Sequence, residues 1–170
     1  VSGTNISFGS ATVFSSSSAF DISAAFDSNS NKVVIGYRAG SSYPAYATAI
    51  VGTVSGNSIS FGTPVVFLSQ HSIGISASFD SNSNKVVFYR DNDNSGHGYS
   101  VVGTVSGTNV SFGTPVRYTS VARASTPRES ITFDSNANKV VISFRGTSGY
   151  GNAVVGTVSG TGISYGSVVV

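Results

Sequence analysis

Short stretches of the chain alternate between apolar and polar positions, and polar turns separate them. In residues 75–79 the apolar side chains fall on every second position, which is typical of a strand with one buried face. Residues 85–90 form a nearly continuous apolar run, as expected of a strand covered on both faces. Residues 100–105 form a further strand, and a Ser-Gly hairpin turn leads from such a strand into an alternating stretch like 59–67. The pattern predicts four antiparallel strands, called strands one to four in chain order.

This set of four strands recurs along the chain at intervals of about 50 residues, and the recurrence is the main feature of the sequence. A block that opens with Val-Ser-Gly and continues to Ser-(Phe/Tyr)-Gly begins at Val1, Val54, Val105 and Val158. The chain is therefore interpreted as a single array of three repeats and the start of a fourth. These are residues 1–53, 54–104, 105–157 and 158–170.

Proline places strand four at the edge of its sheet. Pro64 and Pro115 lie inside strand four, and proline, which has no backbone N–H, is confined to edge strands or bulges. A repeat of about 50 residues with four antiparallel strands is typical of a propeller blade. We expect an all-β, β-propeller-like array of three four-stranded antiparallel blades plus an extra terminal strand, because residues 6–14 and 163–170 both match strand four. The alternatives are a β-trefoil and a β-prism, which also use three four-stranded units.

A second repeated block, Phe-Asp-Ser-Asn-(Ser/Ala)-Asn-Lys-Val-Val, begins at Phe26, Phe79 and Phe133. Together with Val-Gly-Thr-Val-Ser-Gly, this block resembles tandem repeats in predicted tail-fibre-like and surface proteins of marine phages and bacteria. The resemblance covers essentially the whole chain. It implies a β-propeller-like architecture, a binding or adhesion role, and a location outside the cell or on a virion surface. A more distant architectural resemblance is to propeller lectins.

Composition narrows the classes of function. Charged residues make up only 9% of the 170 residues and mean hydropathy is +0.16, which does not fit intrinsic disorder. The net charge is +2 without a run of Lys or Arg, so nucleic acid is not an expected partner. No apolar stretch approaches the roughly 20 residues of a membrane-spanning helix, so membrane insertion is not expected. Cys is absent, which excludes disulfides and Cys-based metal sites.

Two connections in each repeat vary in length and sequence, whereas the other two turns barely change. In an up-and-down sheet the two variable connections emerge at the same end. Binding residues concentrate in loops on a rigid scaffold, so this end is the candidate ligand face; drift of solvent-exposed loops is the alternative. Strand four joins strand one through residues 15–21, 68–74 and 119–130, and strand two joins strand three through residues 39–45, 91–98 and 146–149.

An arginine ends strand two in every repeat, at Arg38, Arg90 and Arg145, and an aromatic residue precedes each one. A planar guanidinium beside an aromatic ring can bind carboxylates or stack on sugar rings. These arginines are therefore candidate ligand-binding residues. The alternative is that each forms a structural ion pair with an aspartate of the array, Asp27, Asp80 or Asp134.

Aromatic residues in the variable connections are the better ligand candidates, because tyrosine offers an apolar face and a hydroxyl group to glycans or protein partners. The alternative for each is packing between neighbouring sheets. His97 is a further candidate, because it lies in a variable connection of the same repeat as His71. With Asp91 or Asp93 the two histidines would suit acid–base chemistry, but no nucleophile motif accompanies them. The candidate tyrosines are Tyr43, Tyr46, Tyr99 and Tyr150.

The sequence predicts no metal site and no cofactor. Residues 91–96 begin like a calcium loop, with oxygen-bearing side chains at alternate positions. The closing bidentate glutamate is missing, because the twelfth position is Val102. A polar turn is therefore the preferred interpretation.

These features predict a non-enzymatic recognition or adhesion module that binds cell-surface glycans or proteins through several similar sites and gains avidity from them. The alternative is a structural repeat protein that assembles into a fibre, a spike or a closed oligomeric propeller, since three blades do not close a ring. A homo-oligomer or a longer array is expected in either case. An enzyme is the third hypothesis, and no site in the sequence supports it.

Overall fold

The computed structural model describes residues 4–92, 97–119, 129–146 and 148–170. Within these ranges all regular structure is β: three antiparallel sheets of four or five strands, without a helix and without a sheet that closes on itself. The same residues accordingly provide no helix with the length and apolar character needed to cross a membrane. The prediction of an all-β fold is confirmed.

Each sheet is a run of strands that follow one another in the chain. Sheet 1 consists of β1 (Ala19–Asp27), β2 (Lys32–Ala39), β3 (Tyr46–Ser55), β4 (Ser58–Phe61) and β5 (Val65–His71). Sheet 2 consists of β6 (Ile73–Asp80), β7 (Lys85–Asn92), β8 (His97–Ser106), β9 (Asn109–Phe112) and β10 (Val116–Arg117). Sheet 3 consists of β11 (Ser130–Asp134), β12 (Lys139–Arg145), β13 (Gly151–Ser159) and β14 (Gly162–Tyr165). Strand one therefore lies at one edge of each sheet and strand four at the other, and the edge position of strand four is the one that Pro64 and Pro115 predict.

Strand four is interrupted rather than continuous. In sheet 1, β4 and β5 both pair with β3, and between them the backbone N–H of Gly62 donates to the carbonyl oxygen of Val51 (2.9 Å). Sheet 2 repeats this break between β9 and β10, which both pair with β8. The predicted single strand 59–67 is wrong, because Pro64 lies in the break and has no N–H to continue the ladder.

Strand β5 extends further than the sequence predicts. It reaches His71, and only Ser72 separates it from β6. Leu68 and His71 pair with residues of β3 through two irregularities in the register. The predicted connection 68–74 is therefore wrong in this repeat, because pairing across the sheet orders most of it as strand.

The aspartate of each Phe-Asp-Ser-Asn block caps the turn that follows it. Oδ1 of Asp80 accepts hydrogen bonds from the backbone N–H groups of Asn82 (2.9 Å) and Ser83 (3.0 Å), which is typical of an Asx turn. Asp27 and Asp134 cap their turns in the same way. Among the described residues no ion pair joins these carboxylates to the arginines of strand two, so that alternative is wrong.

Side chains of neighbouring sheets form two hydrophobic cores, one between sheets 1 and 2 and one between sheets 2 and 3. Strand β7 contributes to both. Val86 and Phe88 point toward sheet 1, whereas Val87 and Tyr89 point toward sheet 3, and all four are fully buried. This confirms that strand two of the middle repeat is covered on both faces.

One aromatic residue of strand four inserts between each pair of consecutive sheets. Phe67 contacts Phe88 of β7 and Phe112 of β9, with ring centroids 5.0 and 5.2 Å away. The equivalent Tyr118 contacts Phe144 of β12, with centroids 5.3 Å apart. Strand four thus belongs to one sheet by hydrogen bonding and packs on the next sheet through its aromatic ring.

Residues 6–14 form no strand, although the sequence predicts one. They lie against the outer side of sheet 1, where Phe14 contacts Tyr37 and Phe61 with ring centroids 5.1 and 5.9 Å away, much as Phe67 does between sheets 1 and 2. The segment takes the place of strand four of a preceding sheet. Within the described residues every strand three already has its own strand four, so the segment has no ladder to join.

Candidate functional site

The variable connections meet at one end of sheet 1. Between β2 and β3, the ring of Tyr43 packs on the imidazole of His71 at the end of β5, with centroids 5.0 Å apart. The backbone N–H of Ala45 donates to Nδ1 of His71 (3.0 Å), and that of Ser72 donates to the carbonyl oxygen of Ala45 (2.9 Å). The two connections therefore lie at the same end of this sheet, where the sequence places them.

Arg90 lies next to this pair and is almost completely buried, with 1% of its surface exposed. Its guanidinium donates from Nη1 to the carbonyl oxygen of His71 (3.1 Å) and from Nη2 to Oε1 of Gln70 (2.8 Å). It also lies over the ring of Tyr99, 5.2 Å from the centroid. Arg90 therefore links sheet 2 to the end of β5 by hydrogen bonds and holds the backbone at His71 in position.

A shorter strand explains why Arg90 is buried. From its lysine to its arginine, strand two spans six residues at 85–90 but seven at 32–38 and at 139–145. Since side chains alternate across a strand, Arg90 points to the face opposite that of its two equivalents, toward sheet 1. The missing residue is visible in the sequence and is the signal that could have predicted the burial. Nothing in the sequence marked its partner Gln70.

The other two arginines occupy different surroundings. Nε of Arg38 forms an ion pair with Oδ2 of Asp21 (3.0 Å), and its guanidinium carbon lies 4.7 Å from the ring centroid of Phe20. Arg145 ends β12 and is exposed. Tyr150, just before β13, is also exposed, at 66%. The three arginines are equivalent in sequence but do not form one type of site.

The remaining candidates differ in exposure. Tyr43 is 69% exposed, whereas Tyr46, Tyr99 and His97 are half-buried near the starts of β3 and β8. The side chains of the calcium-like stretch 91–96 lie outside the described residues. In the part of the chain that is described, no group of three or more His, Cys, Asp and Glu side chains could hold a metal ion.

A cleft of about 360 Å³ opens between the edge strands of sheets 2 and 3, lined by residues 116–119 and 165–166. Burial raises the pKa of the Tyr165 hydroxyl above its usual value, and this hydroxyl lies 2.6 Å from Oγ of Ser100 and donates to it. No sequence pattern marks the cleft, because it forms only where β10 and β14, from different repeats, come together.

Comparison with known proteins adds no family to these observations. No protein-family model matches the chain, and neither a curated protein nor a solved structure matches it. The resemblance to tail-fibre-like repeats stays a prediction.

Proposed function

We propose that the chain is a non-enzymatic recognition or adhesion module that binds glycans or proteins of a cell surface at its loop end. The loop end is the end of the sheets that carries the connections with Tyr43 and Tyr150. The observation that carries the proposal is the position of Tyr43, a strongly exposed aromatic ring held in place by an ordered polar cluster.

The cluster behind Tyr43 keeps its ring in a fixed place. One side of the ring packs on His71, whose Nδ1 is held by the backbone of Ala45 and whose carbonyl oxygen is held by Arg90. An exposed ring that is already ordered loses little entropy when a ligand binds. Tyrosine offers an apolar face for a sugar ring and a hydroxyl for a hydrogen bond, which suits a glycan or a protein surface. Arg90 serves as a positioning residue in this site.

Similar but not identical groups lie elsewhere at the loop end. Sheet 3 presents Tyr150 and Arg145 to solvent, and sheet 1 carries the half-buried Arg38 beside Phe20 in addition to Tyr43. Several weak sites on one rigid array gain avidity without a deep pocket. This favours a multivalent ligand such as a surface glycan.

We further propose that the three sheets are blades of a β-propeller-like array that acts outside the cell or on a virion surface. Three features support blades: consecutive sheets pack face to face, strand four lies at the outer edge, and strand one of each sheet adjoins strand one of the next. At this last contact the backbone N–H of Ala77 donates to Oγ of Ser23 (3.1 Å). A β-trefoil or a β-prism does not call for this stacking of separate four-stranded sheets.

A glycan array probed with the labelled full chain tests the recognition proposal. Binding is expected, and Tyr43→Ala and Tyr150→Ala should each weaken it by about fivefold to tenfold, the effect of losing an aromatic contact of about 1–1.5 kcal/mol. The double variant should lose more than either single variant, because avidity falls with each site.

The matched control is Asn136→Ala, an exposed residue in the turn between β11 and β12, at the opposite end of sheet 3. It should bind as the unaltered chain does. The proposal is refuted if neither the array nor intact bacterial cells retain the chain, or if both tyrosine variants bind as well as the control.

A second candidate function, assembly as a structural repeat, is favoured by a separate observation. Val155 of sheet 3 and Phe26 of sheet 1 expose much of their apolar surface on the outer faces of the array. Uncovered apolar sheet faces are typical of surfaces that pack on a partner.

A further inference from the structure

The outer face of sheet 3, which carries Val155, is uncovered, although the same face of the other two sheets is covered. Val155 is 46% exposed, whereas its repeat equivalents Val51 and Val102 are 0% and 1% exposed. Val51 is covered by sheet 2 and Val102 by sheet 3. In sheets 1 and 2 this face therefore packs against the next sheet in the chain.

The outer face of sheet 1 is exposed in the complementary way along β1, where residues 6–14 do not cover it. Ile22 and Phe26 are each 55% exposed, whereas Ile75, the equivalent of Ile22 in sheet 2, is 7% exposed and packs in the core against sheet 1. Phe79, the equivalent of Phe26, packs against the same core. This face of the repeat is therefore one that packs onto the preceding sheet.

We propose that a second copy of this chain places the outer face of its sheet 1 on the outer face of sheet 3, so that copies associate head to tail. The middle sheet identifies the occupant. Each of its two faces is covered by a neighbouring sheet that is built from another copy of the repeated sequence. The two exposed faces lie at opposite ends of the array, so the contact is heterologous and leads to a ring or to an open series of copies. The proposal rests on assembly, the second candidate function, and is independent of ligand binding.

One segment must move to make this contact. Residues 6–14 lie on the outer side of sheet 1. Residues 6–13 match residues 163–170 in sequence, so they lie in the place that residues 163–170 of the incoming copy would take. Strand β14 pairs with β13 through four residue pairs, whereas residues 6–14 form no strand. We therefore expect residues 6–14 to be displaced. Because displacement loses the contacts of Phe14, it weakens association, and dimers should form only at high protein concentration.

Molar mass in solution across a concentration series is the first test. The chain should form dimers or larger species as concentration rises, and Val155→Lys or Phe26→Lys should raise the dissociation constant by at least about tenfold, since each places a charge in an apolar contact. Both positions are exposed in the single chain, so these variants should fold.

The matched control is Val66→Lys. Val66 is 49% exposed on the edge strand β5, and the equivalent residue of sheet 2 is Arg117, which shows that this position accepts a cation. The control should associate as the unaltered chain does. A chain that stays monomeric at every concentration, or a control that loses association as much as Val155→Lys does, would overturn the proposal.

Engineered cysteines test the head-to-tail geometry directly, because the chain has no Cys of its own. Within the chain, Ser23 contacts Ala77 across sheets 1 and 2. The equivalent pair at the proposed junction is Ser130 of one copy and Ala24 of the other. A mixture of the single variants Ser130→Cys and Ala24→Cys should form a disulfide-linked heterodimer under mild oxidation.

Two controls bracket this experiment. Ser23→Cys with Ala77→Cys in one chain should form an internal disulfide, which reports that the geometry permits the bond. Each of the single variants Ser130→Cys and Ala24→Cys alone should yield few covalent dimers. Equal dimer yields from the mixture and from the single variants would contradict head-to-tail packing, whatever the glycan array shows.

Discussion

The three arginines that end strand two provide a matched series for testing how the fold uses them. Replacing each by methionine keeps the length of the aliphatic stem and removes the guanidinium. Arg90 donates to Gln70 and to the carbonyl oxygen of His71 across two sheets, so Arg90→Met loses two hydrogen bonds from a charged donor, each contributing about 1.5–3 kcal/mol. Removing a buried charge offsets part of this loss. The expected net loss in the free energy of unfolding is about 2–4 kcal/mol.

The equivalent substitutions should have much smaller effects. Arg38 forms a partly exposed ion pair with Asp21, and such pairs contribute about 0.2–1 kcal/mol. Arg145 is exposed, so Arg145→Met should stay within about 0.5 kcal/mol of the unaltered chain. The expected order of destabilisation is therefore Arg90, then Arg38, then Arg145.

Urea unfolding followed by circular dichroism measures all three variants under one set of conditions. The urea concentration at the midpoint of unfolding should shift, whereas the m-value, the slope of the free energy of unfolding against urea concentration, should stay the same. The reason is that the surface exposed on unfolding hardly changes. Equal losses at the three positions would refute the reasoning, since they would show that the repeat position, and not the burial of Arg90, decides the energy. A loss below about 0.5 kcal/mol for Arg90→Met would refute it as well.

Three further predictions concern other features of the fold. Gly62→Ala should cost about 1–3 kcal/mol, because its Cβ would collide with the carbonyl oxygen of Thr108, whereas Gly151→Ala, which meets open space, should stay within about 0.5 kcal/mol. Asp80→Ala should cost about 1–2 kcal/mol, because two backbone N–H groups lose their acceptor in the turn. Burial raises the pKa of Tyr165 above its value of about 10 in the unfolded chain. The free energy of unfolding should therefore fall as pH rises above about 10, and Tyr165→Phe should reduce that fall.

Chemical unfolding checks each of these predictions. Similar losses for Gly62→Ala and Gly151→Ala would contradict the close contact with Thr108. A neutral Asp80→Ala would contradict the role of its carboxylate in the turn. For Tyr165, unfolding is compared between about pH 8 and about pH 11. A Tyr165→Phe variant whose stability falls as steeply as that of the unaltered chain would contradict the contribution of Tyr165 to this decline.

The repeat, the strands and their order follow from local information in the sequence. Alternation and turn residues place strands one to three close to their observed positions, and Pro64 marks strand four as an edge. The variable connections can be assigned to one end, because an up-and-down sheet brings alternate connections to the same side. Tyr43 could therefore be named as a candidate without a structure.

Only the tertiary structure decided which surfaces those residues meet. Arg90 is buried because one missing residue reverses the alternation and turns it toward sheet 1, where it meets Gln70 on β5 of the neighbouring sheet. Strand β5 extends to His71 because β3 offers it a ladder, whereas residues 6–14, with a similar sequence, form no strand because none is free to pair with them. Val155 and Val102 are the same residue in the same motif, yet only one of them is covered. The sequence by itself determined the repeating unit, and the neighbour that each unit meets in three dimensions determined its burial, its pairing and its exposed faces.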